Sequence, residues 1–346
     1  MKRAKPIIIL LVKLLVSGGL LAYFLSRVHP ERFLHTFATA NYWWIALALV
    51  IYLGTQAISA ARWATLARPL GIETRFTNLL KYYLIGMFFN LFAPGTVGGD
   101  VSRVVYLARD QESHAKGRAV TTTHAAMSVL MDRAIGMIVL VWLGAAGLLL
   151  FPEYAVPPTV RSITLMLAAG FLGAVLLLPL FRRVLPEDGH PMVVKIRLAL
   201  HSYRTQWRAL AAAAALSLVA HLIQAWMHVV MGRALGLEVP LAFCLIVYPL
   251  VGTFAAIPVS LNGLGLREGG YIYLLAVIGI SSENGMAFGL LLFLIVALDS
   301  LLGGVLFLLQ KSPKAAGAIA DEDDLDQITA EDRRQSEKRE KAKGIG

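Results

Sequence analysis

Stretches of about 20 apolar residues recur along this chain, each long enough to cross the roughly 30 Å hydrocarbon core of a bilayer as an α-helix. Lipid offers the backbone no water, so a spanning segment must satisfy its own N–H and C=O groups, in a helix or in a closed barrel. The stretches are continuous runs of Leu, Ala, Val and Ile rather than short alternating strands, and this selects helices. The expected fold class is all-α: a polytopic transmembrane helical bundle. With 57% hydrophobic and 16% charged residues over 346 positions, the chain lies far from the composition of soluble domains, which excludes a soluble enzyme or binding module.

The first stretch, residues 6–26, follows Lys2, Arg3 and Lys5 as a signal peptide would. It is too long and lacks a small-x-small cleavage site, so it is expected as a retained first span. The one cysteine, Cys244, lies in an apolar segment, so no disulfide framework, Cys-based metal site or redox chemistry is implied. The formal charge of +10 invites a nucleic-acid reading. However, the Lys and Arg residues sit in loops between spans, where membrane orientation accounts for them, and no nucleic-acid partner is expected.

Placing the Lys/Arg-rich loops inside gives one consistent path. The amino terminus starts inside, residues 27–41 lie outside, and the second span covers residues 42–62. The loop with Arg62, Arg68 and Arg75 is then inside, and so is the later loop with Arg103, Arg109, Lys116 and Arg118. The apolar segment between two loops on one side cannot cross once; it must enter and return. Asn90, Pro94-Gly95 and Gly98-Gly99-Asp100 supply the break, because Pro stops a helix and Gly permits turn conformations. Residues 76–104 are therefore read as a re-entrant hairpin opening to the cytoplasm.

Span three covers residues 119–151, followed by an outer loop with Pro152, Pro157 and Pro158, and span four covers 163–181. The next loop, with Arg182, Arg183, Lys195, Arg197, Arg204 and Arg208, is the strongest inside signal. Within it, residues 192–208 fit either a helix lying along the headgroups or a solvated linker helix. Span five covers 209–231, and residues 232–240 lie outside. A second broken segment, 241–280, is interrupted from Ile257-Pro258 to Arg267-Glu268. It either returns to its starting side or makes two crossings. The last span, 286–310, reaches Lys311 and Lys314 inside.

The result is about six full spans and two broken segments, with both termini cytoplasmic. The order span, span, broken hairpin, span occurs twice, with an odd number of crossings between the copies. This predicts an inverted repeat with halves at 1–151 and 160–310 inside a membrane domain of residues 1–310, the arrangement in which transporters place substrates at discontinuous helices. The pattern is one of hydropathy and breakers, not of residue identity. From residue 311 onward the chain turns polar, through Asp321-Glu322-Asp323-Asp324 and Arg333-Arg334. With too little apolar surface to bury, residues 311–346 are expected as a disordered, charged cytoplasmic tail.

Charges inside spans are costly and face a protein interior or a wet cavity. Asp100 follows Gly98-Gly99, where it can cap a new helix and pair with Arg103. The N–H groups of that helix start, with Arg103, suit an anion. Arg267 and Glu268 hold the matching place after Asn262, Gly263 and Gly265. The plainer reading is that both pairs only cap helices and that Arg103 belongs to the positive-inside belt. Arg133 has a snorkelling route to the headgroups, whereas Asp132 has none and requires a buried arginine. Asp299 poses the same problem without a nameable partner. His221, Gln224 and His228 form a polar face on span five, better suited to a cavity wall or interhelical hydrogen bonds than to haem or metal. Tyr42, Trp43, Trp44 and Trp63 read as interfacial anchors, and Arg62 is placed to hold a lipid phosphate.

The run from Asn90 through Pro94, Gly98, Gly99 and Asp100 to Arg103, the Asp132-Arg133 pair, and the run from Pro258 through Gly263, Leu264, Gly265 and Leu266 to Arg267-Glu268 together resemble the lysylphosphatidylglycerol synthase transmembrane, or flippase-like, family. The likeness extends to about Gln310. It implies a multi-pass protein of a prokaryotic cytoplasmic membrane that binds, or moves between leaflets, an anionic phospholipid or a polyprenyl-phosphate-type lipid. Bifunctional members add a soluble domain that transfers an amino acid from tRNA to phosphatidylglycerol. Here a short charged tail stands in that place, so neither aminoacyl transfer nor a cofactor is expected. The candidate lipid- or anion-binding set is Arg62, Asn90, Gly98, Gly99, Asp100, Arg103, Asp132, Arg133, Asn262, Gly263, Gly265, Arg267 and Glu268. Alternative readings are an intramembrane transferase acting on a lipid-linked substrate and a non-transporting membrane partner. Beyond lipids, a second copy of the chain and a cytoplasmic protein engaging the tail stay open as partners.

Overall fold

The computed structural model describes residues 15–24, 26, 29–92, 98–114, 122–184, 203, 205–257, 260 and 263–309, with only the backbone for residues 92, 111–114 and 178–184. The polar tail, most of residues 192–208, and Pro94, Gly95, Pro258 and Asn262 lie outside the described residues. The chain divides into residues 1–306 and 307–346, and only 307–309 of the second unit are described. Among the described residues there is no strand.

The helices in chain order are α1 (Leu15–Phe24), α2 (Pro30–Ala38), α3 (Tyr42–Ala67), α4 (Phe76–Phe92), α5 (Gly98–His114), α6 (Thr122–Leu150), α7 (Pro158–Val184), α8 (Trp207–Ala234), α9 (Leu241–Ala255), α10 (Leu266–Leu275) and α11 (Ser282–Leu309). Five of them, α3, α6, α7, α8 and α11, are long and apolar enough to cross a membrane. The expected first span is described only as the shorter α1. The protein is an all-α, multi-pass membrane protein. Large apolar side chains remain exposed along these helices, among them Val50, Leu149, Met166, Leu176, Leu308 and Leu309, a surface that hydrocarbon rather than water solvates.

Local chemistry sets the boundaries. Asn41 caps α3 by accepting the Trp43 N–H at 3.0 Å. At its other end, α3 tightens into a 3-10 turn at Arg68–Leu70 that closes on Gly71 at φ 76°. Helix α3 thus runs five residues past the expected end at Arg62, and this draws Arg62 from the loop into the helix body. Helix α7 begins at Pro158, a residue suited to a first helical turn, rather than at residue 163.

Both broken segments fold as antiparallel helical hairpins. In the first, Asn90 meets Gly99, Gly86 meets Arg103, and the Tyr82 ring stacks on Tyr106. The glycines permit the approach: a Cβ on Gly99 would lie 2.0 Å from the Gly86 carbonyl oxygen. In the second, Gly263, at φ 77°, lies against Ala255, and Gly270 lies against Val251. Its arms, α9 with 15 residues and α10 with 10, are each shorter than the roughly 20 residues of an ordinary spanning helix. Small residues also bring α6 onto α9, where Gly144 and Gly147 contact Pro249, Leu250 and the Leu245 carbonyl.

Two apolar cores result. One joins Trp63, Leu66, Ile72, Leu79, Leu107, Met127 and Tyr203. The other joins Ala48, Leu148, Met227, Phe243, Ile246, Tyr271, Phe288 and Ile295. Helices α3, α6 and α8 pass through both, and the polar side chains at their mid-length lie between the two cores.

Candidate functional site

Between the cores is a cavity of about 310 Å³ lined by Tyr52, Gln56, Ser59 and Arg62 of α3, Tyr83, Gly86, Met87 and Asn90 of α4, Arg103 of α5, and Asp132, Arg133, Gly136, Met137 and Leu140 of α6. His221 and Gln224 of α8, Tyr248 of α9, and Val296 and Ser300 of α11 complete the wall. Its polar groups come from the bodies of long helices, as Gln56, Asp132, His221 and Gln224 do, and from near helix ends, as Arg62, Asn90 and Arg103 do.

The core of the site is an ionic cluster. Asp132, fully buried, accepts from Arg62 Nε at 2.8 Å and from Arg103 Nη2 at 2.9 Å. This supplies the cationic partners that its position demands, and from two different helices. Arg62 Nη1 also donates to Ser217 Oγ at 3.1 Å. Asp100 takes a two-pronged bond from Arg133, with distances of 2.9 to 3.1 Å, and lies 3.6 Å from Arg103 Nη1. Three arginines thus face two carboxylates, leaving one positive charge unmatched. The Arg103 guanidinium lies 4.2 Å from the Trp63 ring centroid and 4.6 Å from that of Tyr83, so cation–π attraction holds it in place. Its Nε–H is buried without an acceptor among the described residues. Buried donors are normally bonded, and one left open on an arginine beside a cavity suits an anionic guest.

Trp63 is therefore no interfacial anchor. It is fully buried, donates from Nε1 to Ser128 Oγ at 3.0 Å, and serves as the floor for Arg103. The sequence suggested otherwise because α3 was expected to end beside it. Tyr42 and Trp43 are exposed, as anchors would be.

The two helix starts are closed from within. Asn90 Oδ1 accepts the Gly99 N–H at 3.0 Å across the first break. Glu268 Oε2 accepts the Gly265 N–H at 2.6 Å, with Gly265 at φ 85°. Asn90 and Glu268 thus act as caps, and among the described residues the buried open donors on the cavity wall are Arg103 Nε–H and the Ser300 hydroxyl. Gly98 begins α5. Arg267 and Glu268 do not line the cavity; Glu268 is fully buried, and the Arg267 guanidinium lies 6.0 Å from the Phe293 ring centroid. The candidate residues therefore separate. Arg62, Asn90, Asp100, Arg103, Asp132 and Arg133 come together around or beside one cavity, while Gly263, Gly265, Arg267 and Glu268 organise the second hairpin.

Each histidine on α8 makes at least one interhelical bond. His221 pairs through Nδ1 with the Tyr248 hydroxyl at 2.7 Å and through Nε2 with the Gly136 carbonyl at 3.1 Å. His228 pairs with the Gln224 carbonyl at 2.7 Å and the Tyr271 hydroxyl at 2.6 Å. Among the described residues no three His, Cys, Asp or Glu side chains form a metal-ligating group.

Sequence reasoning overlooked Tyr52, Gln56 and Ser59, and Tyr83 with Gly86. Their spacing was a usable signal: positions 52, 56 and 59 share a face with Arg62, and positions 83 and 86 with Asn90, giving polar stripes at helical period inside apolar runs.

Comparison with known proteins agrees with this architecture. A UPF0104 membrane protein of Methanocaldococcus jannaschii is 27% identical over 135 residues, covering 39% of this chain and 38% of that protein. One of Pyrococcus horikoshii is 26% identical over 109 residues, 31% of each chain. The alignments thus span well under half the length of either relative. The model of the lysylphosphatidylglycerol synthase TM region matches residues 10–303, nearly the whole helical bundle, and the chain belongs to that family.

Proposed function

We propose that this protein binds an anionic phospholipid or polyprenyl-phosphate-type lipid by its headgroup and carries it between leaflets. The observation that carries the reading is the cluster of Arg62, Arg103 and Arg133 against Asp100 and Asp132, with one surplus positive charge and an open Arg103 donor on a cavity between the apolar helices. A phosphate there gains charge-assisted hydrogen bonds in a medium of low dielectric. It also offsets a charge that hydrocarbon solvates poorly.

The cavity holds a headgroup and leaves the acyl chains outside. Helices α3, α4 and α11, which contribute to the cavity wall, also form an apolar groove of about 380 Å³ lined by Leu53, Ala57, Leu80, Leu84, Leu302 and Val305, a surface suited to a hydrocarbon tail. Rocking of one half of the bundle against the other exposes the headgroup site to each leaflet in turn. The test is leaflet exchange in liposomes holding labelled phosphatidylglycerol, cardiolipin or a polyprenyl phosphate. Exchange above protein-free vesicles for at least one of them is expected; none for any of them defeats the proposal.

A further inference from the structure

Three acids are buried among the described residues: Asp132, Glu268 and Asp299. Asp132 has two arginines and Glu268 has the Gly265 N–H. Asp299 is fully buried in the body of α11, and neither of its carboxylate oxygens has a hydrogen-bond partner among the described residues. The next residue, Ser300, lies on the cavity wall, and its hydroxyl is likewise unpartnered. Helix α11 is held in this position by close contacts on both sides: Gly285 and Gly289 against Ile272 and Glu268 of α10, and Gly303 and Gly304 against Leu84 and Phe88 of α4.

An ionised carboxylate in such a place, without a cation, is strongly disfavoured, and the group neutralises instead. The packed helices carry Tyr52 and Arg62 on α3, Lys81, Tyr82 and Tyr83 on α4, and Arg267, Glu268, Tyr271 and Tyr273 on α10. Tyr52 is in electrostatic reach of both Asp299 and Arg267, yet Asp299 hydrogen-bonds none of these groups. The one-residue step from Asp299 to the cavity wall gives a proton a short path to water when the cavity is hydrated.

We propose that Asp299 is a proton-binding site that couples lipid movement to a pH gradient, an inference that rests on the lipid-translocating reading above. The carboxylate takes up one proton from the side to which the cavity is open and becomes a neutral acid. The headgroup meanwhile binds the arginine cluster. When the cavity opens to the other leaflet, water reaching Ser300 hydrates the acid, and the proton leaves as hydronium while the lipid leaves its site. A monoanionic lipid and one proton then cross together with no net charge moved.

The test uses the full chain in liposomes containing acyl-labelled phosphatidylglycerol, with the membrane potential clamped at zero. An interior one pH unit more alkaline than the exterior should enrich the label in the inner leaflet about tenfold at steady state, the ratio equivalent to one proton per lipid. Asp299→Asn should keep exchanging lipid but distribute it evenly at every gradient, and Asp299→Glu should restore the bias. Wild-type exchange that ignores the pH gradient, or that follows a sodium gradient instead, overturns the proton site and leaves the lipid reading standing. An Asp299→Asn protein as responsive as the wild type also overturns it. Absence of wild-type exchange removes the lipid reading, and this inference with it.

Discussion

Replacing Asp132 by alanine removes the acceptor that Arg62 and Arg103 share, at 2.8 and 2.9 Å, in a place closed to solvent. Each charge-assisted bond is worth about 1.5–3 kcal/mol, and breaking a buried pair by deleting one partner typically costs about 3–5 kcal/mol, so a loss of about 4 kcal/mol is expected. At roughly 2–4 °C per kcal/mol for chains somewhat shorter than this one, the midpoint should fall by about 10 °C. The chain supplies its own reporter, because Cys244 is the one cysteine and is fully buried. A thiol-reactive dye therefore gains signal only when the bundle opens. The companion variant, Arg62→Met with Asp132→Leu and Arg103→Met, should recover much of the stability, since apolar groups replace a buried ionic triad at little penalty. It should also lose any stabilisation by anionic lipid. An Asp132→Ala midpoint within about 2 °C of wild type, the shift of an ordinary surface change, would refute the account of a buried, shared carboxylate.

Arg133→Gln acts on a more exposed pair, with side chains 54% and 25% exposed. Its stability loss should stay at or below about 1 kcal/mol. Stabilisation by added phosphatidylglycerol, read with the same dye, should nevertheless drop sharply, because the surplus positive charge disappears. Gly99→Ala puts a Cβ 2.0 Å from the Gly86 carbonyl oxygen and should destabilise the first hairpin by about 3 kcal/mol. Gly170→Ala, with nothing within 4 Å, should leave the midpoint unchanged or slightly higher. Tyr271→Phe removes the hydroxyl 2.6 Å from buried His228 Nε2 and should cost about 1–3 kcal/mol, visible as a lower midpoint without altered lipid response.

The membrane class, the order of the spans and the two interruptions were legible because each depends on short-range facts. Run length against bilayer thickness identifies a span, and Pro or paired Gly identifies a break. The need of Asp132 for a buried cation was legible for the same reason, since an acid far along a span has no route to water. The identity of that cation was not. Arg62 and Arg103 lie 70 and 29 residues from Asp132 along the chain, and only the packing of α3 and α5 onto α6 brings them to it. Trp63 was misplaced for a related reason: hydropathy ended α3 at its first arginine, whereas burial of that arginine by its partner let the helix continue.

By itself the sequence determined that the chain spans a membrane as helices, that two segments fold back, and that charges gather at those places. Tertiary structure alone decided which charges share a site. It gathered Arg62, Arg103 and Arg133 around one cavity, gave Asn90 and Glu268 to the capping of helix starts, and left Asp299 buried without a hydrogen-bond partner among the described residues. The physical reason is that a run's hydrophobicity is a local sum over residues, whereas an ion pair or an unfilled donor depends on distances between helices. Those distances are fixed only when glycines such as Gly99 and Gly303 let the backbones close.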